Sequence, residues 1–185
     1  MIRTEIPSAA ILELDGYAWR RPTRADRAAL EELSALGPHA GLFNLPGPGE
    51  EFSRGVGGPG FRMPMLCIHG SRPVGVAAIS HLNQRSMNAQ LICAFKQPRL
   101  ASHPLTIYVR HLFWSQPLHR VYVQFPVAED ATDYIDLLKR AGFVDEGVVT
   151  GYALVRGQPS DVAVLGILRR EFEAWCLQNE KRLIL

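Results

Sequence analysis

Between residues 65 and 95 the chain runs through three apolar, strand-like segments whose connections have room only for turns, and this stretch constrains the fold most. The segments cover 65–69, 74–82 and 89–95; Gly70-Ser71-Arg72-Pro73 joins the first pair and residues 83–88 join the second. Both connections carry turn residues at hairpin length, so the three segments are expected to form an antiparallel meander. Any helix has to lie before or after them.

The flanking sequence supplies the helices. Residues 17–21 read as a first strand; Thr23 with Asp26 three residues on makes a capping-box-like start, and Ala29, Leu30, Leu33 and Leu36 recur at helical spacing until Gly37-Pro38 stops the pattern. After the meander the periodicity predicts a helix over 104–114, a strand over 121–125, a helix over 130–141 ended by Gly142, strands over 147–155 and 161–167, and a final helix over 169–178. The order β, α, long loop, β, β, β, α, β, α, β, β, α predicts an α/β fold with a mixed, mostly antiparallel central sheet flanked by helices. No internal repeat is visible, and residues 1–185 read as a single domain.

Composition narrows the function classes. A chain of 185 residues buries roughly 70% of its unfolded surface, enough for an independent core. The formal net charge is +2 from 20 basic and 18 acidic side chains, interspersed, so the one-signed field of a nucleic-acid binder is missing. The local cluster Arg20, Arg21, Arg24 and Arg27 is followed at once by Glu31 and Glu32 and reads as a solvated helix face. Cys67, Cys93 and Cys176 are odd in number and mostly set among apolar residues, which points to reduced core thiols rather than a disulfide framework. No stretch has the length of a membrane span or a signal segment, so a cytoplasmic protein is expected.

Specific chemistry is thin. Residues 45–64 are too rich in Gly and Pro for regular structure, and their G-V-G-G-P-G core lacks the preceding strand and following helix that a phosphate-binding loop requires. A flap on the substrate side is the expected role, with Glu50 and Glu51 placed to recognise a cationic substrate. There is no H-E-x-x-H, C-x-x-C or G-x-S-x-G motif, and the six histidines are scattered, so no metal site is expected.

Two segments carry a resemblance. Residues 137–147 read L-L-K-R-A-G-F-V-D-E-G, a helix end in L-x-x-x-G-F followed by an acidic-Gly strand start, and residues 152–172 read as a strand, a Gly-containing turn, an Asp and an apolar strand running into Leu168-Arg169-Arg170-Glu171-Phe172. This resembles the GNAT acyltransferase superfamily, most clearly its RimJ/RimL-like branch, and the match is densest over residues 120–175. The resemblance implies a GNAT-like fold, acetyl-CoA or another acyl-CoA as co-substrate, and acyl transfer to an amine of a small molecule or peptide.

It also implies site residues. The family's phosphate-binding pattern falls on Arg99-Leu100-Ala101-Ser102-His103-Pro104, so Arg99, Ser102 and His103 are the expected phosphate contacts, with the main chain of Phe95, Lys96 and Gln97 taking the pantetheine arm. Here Ser102 and Pro104 stand where the family keeps small residues, and proline removes a backbone donor. The carboxylate expected on the fourth strand corresponds to Gln90, whose amide is no useful base. The hydroxyl expected near the middle of the last long helix corresponds to Leu138, leaving Tyr134, one turn earlier, as the candidate proton donor. His81 remains as candidate base, because imidazole changes charge within the physiological range. Two functions follow: an acyltransferase relying on proximity and backbone polarisation, or a degenerate relative that binds a partner protein or an altered acyl carrier and transfers nothing, with a homodimer as a further expected pairing.

Overall fold

The computed structural model describes residues 10–36, 62–127, 131–155 and 157–179. Its strands are β1 (Ala10–Leu14), β2 (Tyr17–Arg20), β3 (Arg62–His69), β4 (Arg72–Asn83), β5 (Asn88–Phe95), β6 (Arg120–Pro126), β7 (Val144–Val155) and β8 (Gln158–Leu168). Its helices are α1 (Arg27–Ser34), α2 (Ser102–Ser115), α3 (Ala131–Arg140) and α4 (Arg169–Asn179). The strands form one eight-stranded sheet in the order β1-β2-β3-β4-β5-β6-β8-β7. Every neighbouring pair is antiparallel except β5 with β6. The expected mixed, mostly antiparallel sheet with flanking helices is therefore present.

Local chemistry explains the departures from the expected elements. Strand β1 went unpredicted, although Asp15-Gly16 is a strong hairpin signal: both residues adopt positive φ, 52° and 77°, as a two-residue turn joining right-twisted strands demands. The β3–β4 connection is shorter than expected, because Arg72 and Pro73 belong to β4 and only Gly70 and Ser71 turn. Pro73 is tolerated inside a strand because the register shifts beside its partner Ile68. Ahead of α1, the Thr23 amide and hydroxyl both donate to Asp26 Oδ2, at 2.7 and 2.8 Å. That is the reciprocal half of the anticipated capping box.

The sheet separates two apolar layers. On one face Leu30 and Leu33 of α1 pack against Leu66, Ile68, Val76, Ala78, Ile92 and Ala94. The larger layer lies opposite, where α2, α3 and α4 cover Met65, Cys67, Ala77, Ile79, Leu91, Cys93 and the inward residues of β6 and β8. Helix α2 is the crossover between the parallel strands, as chain geometry requires. Its first turns are tied to β2 and β3 within that same layer. The fully buried Trp19 indole donates to the Pro104 carbonyl at 2.9 Å and packs 5.0 Å from the Tyr108 ring, whose hydroxyl donates to the Met63 carbonyl at 2.9 Å. Among the described residues no helix is long and apolar enough to cross a membrane.

Two measurements test this packing. Trp19→Phe keeps an aromatic ring but removes the indole N–H, and is expected to lower unfolding free energy by about 1–3 kcal/mol in a denaturant titration. Burial pushes the Cys93 thiol up to about 12 and raises the Cys67 thiol as well, whereas Cys176 is half-buried. Because the thiolate is the reactive species, a thiol reagent at neutral pH should modify Cys176 in the native protein and reach the other two only with unfolding.

Candidate functional site

The β5–β6 ladder has three rungs, Asn88 with Arg120, Ala89 with Val121 and Gln90 with Tyr122. Beyond Gln90 the strands continue to Phe95 and Pro126 without pairing, so an opening forms between them. It forms where the chain has to leave the sheet: residues Pro98–Leu100 make a 3-10 turn and feed α2. Helix α3 lies alongside. Its buried Tyr134 hydroxyl accepts the Phe95 N–H at 3.0 Å and donates to the Phe95 carbonyl at 3.4 Å, occupying both main-chain polar groups of a residue at the open edge of β5. Leu138, one turn on, is fully buried in the core.

The predicted phosphate contacts divide. Arg99 turns toward α3, its Nε lying 3.1 and 3.2 Å from the two Asp133 carboxylate oxygens, while Arg140 donates to the Arg99 carbonyl at 3.2 Å. Its charge is thus opposed by a carboxylate. Ser102 is the first residue of α2 rather than its cap, since Ala101 holds the cap position and offers no side-chain acceptor. Leu105 N–H bonds the Ala101 carbonyl and Pro104 has no N–H, so the Ser102 and His103 amides are left without acceptors among the described residues. The His103 ring points the other way, toward the β1–β2 turn. Its Nε2 sits 3.0 Å from Asp15 Oδ2, close enough for an ion pair but misaligned for a hydrogen bond.

A cavity of about 470 Å³ lies on that side of the turn, lined by Tyr17, His69, Arg72, Phe95, Lys96 and Gln97 among others, and by no residue of α3 or β6. Tyr17 and His69 stack at 4.5 Å, and burial followed by the neighbouring Cys67 raises the Tyr17 hydroxyl above its ordinary value. Lys96 Nζ pairs with Glu32 at 2.8 Å. Gly75 lets the Phe95 ring lie flat on β4, since a Cβ there would stand 2.2 Å from Phe95 Cδ1. The chain over 95–101 therefore separates two concavities. Phe95 is shared, Lys96 and Gln97 face the cavity, and Arg99 faces the opening beside α3.

A third group lies on the α1 face. Ser80, His81 and Gln90 come together, with His81 Nδ1 2.9 Å from Gln90 Oε1. Gln90 belongs to the last β5–β6 rung, so the group borders the opening. Sequence reasoning considered His81 and Gln90 separately and missed their contact; the hairpin register, which sets Ser80 opposite Gln90, was the available signal. It also missed Asp133, the neighbour of Tyr134 on α3. Glu50 and Glu51 lie outside the described residues.

The sequence matches no protein-family model and no curated protein. The fold does have solved counterparts. Ribosomal-protein-S5-alanine acetyltransferase from Vibrio fischeri superimposes with a TM-score of 0.62 at 12% identity, covering 87% of this chain and 97% of that one. Mycobacterium smegmatis RimJ in complex with CoA-disulfide gives 0.64 at 17% identity, covering 89% of each chain. Spermidine N-acetyltransferase from Vibrio cholerae in complex with CoA and spermine gives 0.66 at 17%, covering 85% of this chain and 98% of that one.

The chain has the GNAT fold. The likeness spans nearly the whole length of each of these proteins.

The two contacts beside the opening differ in strength, and variants separate them. Tyr134→Phe strands a buried N–H and is expected to cost about 1–3 kcal/mol of stability. Arg99→Ala removes an exposed ion pair and should cost less than about 1 kcal/mol. Chemical denaturation of both variants reads the difference.

Proposed function

We propose that this protein is an acyl-CoA-dependent N-acyltransferase that moves an acetyl group to an amine of a small molecule or peptide. The observation that carries the reading is the opening after the Gln90–Tyr122 rung, in a fold whose solved counterparts are acetyltransferases, two of them crystallised with CoA or its disulfide. In this reading the chain works as one domain in the cytoplasm. The open edge of β5 receives the pantetheine arm, and the unbonded Ser102 and His103 amides, at the positive end of α2, face the phosphates.

The fit has one condition. Tyr134 Oη already bonds the N–H and the carbonyl of Phe95, so the co-substrate has to exchange with that hydroxyl at Phe95. Once displaced, the hydroxyl stands beside the arm and can give its proton to the departing sulfur. His81 accepts the proton of the attacking amine. Backbone N–H groups of β5 polarise the thioester carbonyl, and alignment of amine and thioester supplies most of the acceleration.

A second reading has its own support. The Tyr134 hydroxyl on Phe95, the carboxylate opposing Arg99 and the apolar Leu138 together describe an opening closed by its own side chains, as in a relative that binds a partner and transfers nothing.

Titration with acetyl-CoA separates the two. Saturation at 100 times Kd raises unfolding free energy by about 2.7 kcal/mol, visible as a thermal shift and in calorimetry. Ser102→Glu should abolish the shift by setting a negative charge against the phosphates. No shift at millimolar acetyl-CoA would favour the binding module.

A further inference from the structure

This inference rests on the acyltransferase reading above. His81 stands at an irregular point of β4: its φ is +46°, in the left-handed region that residues other than glycine rarely adopt, and the β4–β5 register shifts between Ser80 and Asn83. In a regular strand Ser80 and His81 would face opposite sides of the sheet. The bulge instead brings both to one amide. Gln90 Oε1 lies 2.9 Å from His81 Nδ1 and 3.3 Å from Ser80 Oγ, and those two atoms are 3.2 Å apart. Bulges of this kind re-aim a side chain, and they concentrate near active sites.

The contact specifies a tautomer. A carbonyl oxygen only accepts, so Nδ1 carries the proton and the ring's lone pair is left on Nε2. Nε2 has no hydrogen-bond partner among the described residues. Gln90 is itself well held: it is half-buried, registers with Ser80 on one side and Tyr122 on the other, and occupies the last rung before the strands part.

The geometry points to Gln90 as a positioning residue that locks His81 in the Nδ1–H form, so that Nε2 is presented as the proton acceptor for the incoming amine. The amide at this place on β5 takes no proton itself; it orients a base supplied by the neighbouring strand. In the step it serves, the amine nitrogen bonds to the acyl carbon, its proton passes to Nε2, and the carbon–sulfur bond breaks with its electron pair leaving on sulfur, which takes a proton from Tyr134. The imidazolium and the tyrosinate are then returned to their resting forms by proton exchange with solvent.

Long-range proton–nitrogen correlation spectra of the 15N-labelled full chain test this, with His81→Ala identifying the His81 signals. Recorded where the ring is neutral, the wild type should show the Nδ1–H pattern. Gln90→Met, similar in volume, should revert His81 to the Nε2–H form, and Gln90→Glu, which keeps an acceptor, should restore the Nδ1–H form. With acetyl-CoA and a reactive amine, Gln90→Met should lower kcat roughly tenfold or more while leaving KM for acetyl-CoA unchanged. A wild type in the Nε2–H form, or a folded Gln90→Met with an unchanged spectrum, overturns the positioning role even if transfer proceeds. Should Gln90→Met fail to fold, the wild-type and Gln90→Glu spectra still decide. A wild type with the Nδ1–H pattern but no transfer to any amine overturns the acyltransferase reading and, with it, the role of Nε2 as base.

Discussion

The structure depends on a three-rung ladder. Strands β5 and β6 are parallel, so the chain between them has to travel back over the sheet as α2, and only Asn88, Ala89 and Gln90 find partners before the strands diverge. A parallel pair this short is weak on its own, and packing of the crossover helix maintains it. That is the role of the buried block around Trp19, Tyr108 and Leu105, which joins α2 to strands on the far side of the opening. The same block fixes where α2 begins, and hence where its unbonded amides stand. Opening, helix terminus and core are consequences of one crossover.

What surrounds the opening is chemically unusual in its economy. An acidic base on β5 would be a single residue with a raised proton affinity; here a neutral amide, a serine and a histidine share that ground, with the histidine held in a costly backbone conformation. On the other side, the Tyr134 hydroxyl bonds the N–H and the carbonyl of the buried Phe95, which lies past the last β5–β6 rung. The hydroxyl thus stabilises the edge of the opening and stands in the way of anything entering it. Charge follows the same pattern: Arg99, Lys96 and Arg20 are each paired with a carboxylate, and for Asp26 the bonds from Arg20 and Thr23 outweigh burial and hold its carboxyl below the ordinary range.

Much of this was legible beforehand. The meander followed from two short connections, and the helices from apolar spacing; each appears within a few residues of its expected bounds. The Thr23 and Asp26 pairing at α1 was likewise visible, because a cap involves only neighbours in sequence. Strand β1 was overlooked despite its Asp15-Gly16 turn, since the apolar run before it is brief and borders residues without a pattern. The candidate site was legible by residue and not by arrangement. Tyr134, His81, Arg99 and Gln90 were each singled out; that Tyr134 holds Phe95, that Arg99 faces Asp133 and that Gln90 meets His81 depend on neighbours 39, 34 and 9 positions away.

By itself, then, the order of residues determined the elements, their sequence along the chain and the hairpin pairing, because periodicity, capping and turn chemistry act over a handful of positions. Tertiary structure alone decided how far β5 and β6 stay together, which side of residues 95–101 each side chain takes, and which proton His81 keeps. Those outcomes turn on contacts between segments remote in sequence and on a bulge that reverses the facing of one residue, and no local pattern encodes either.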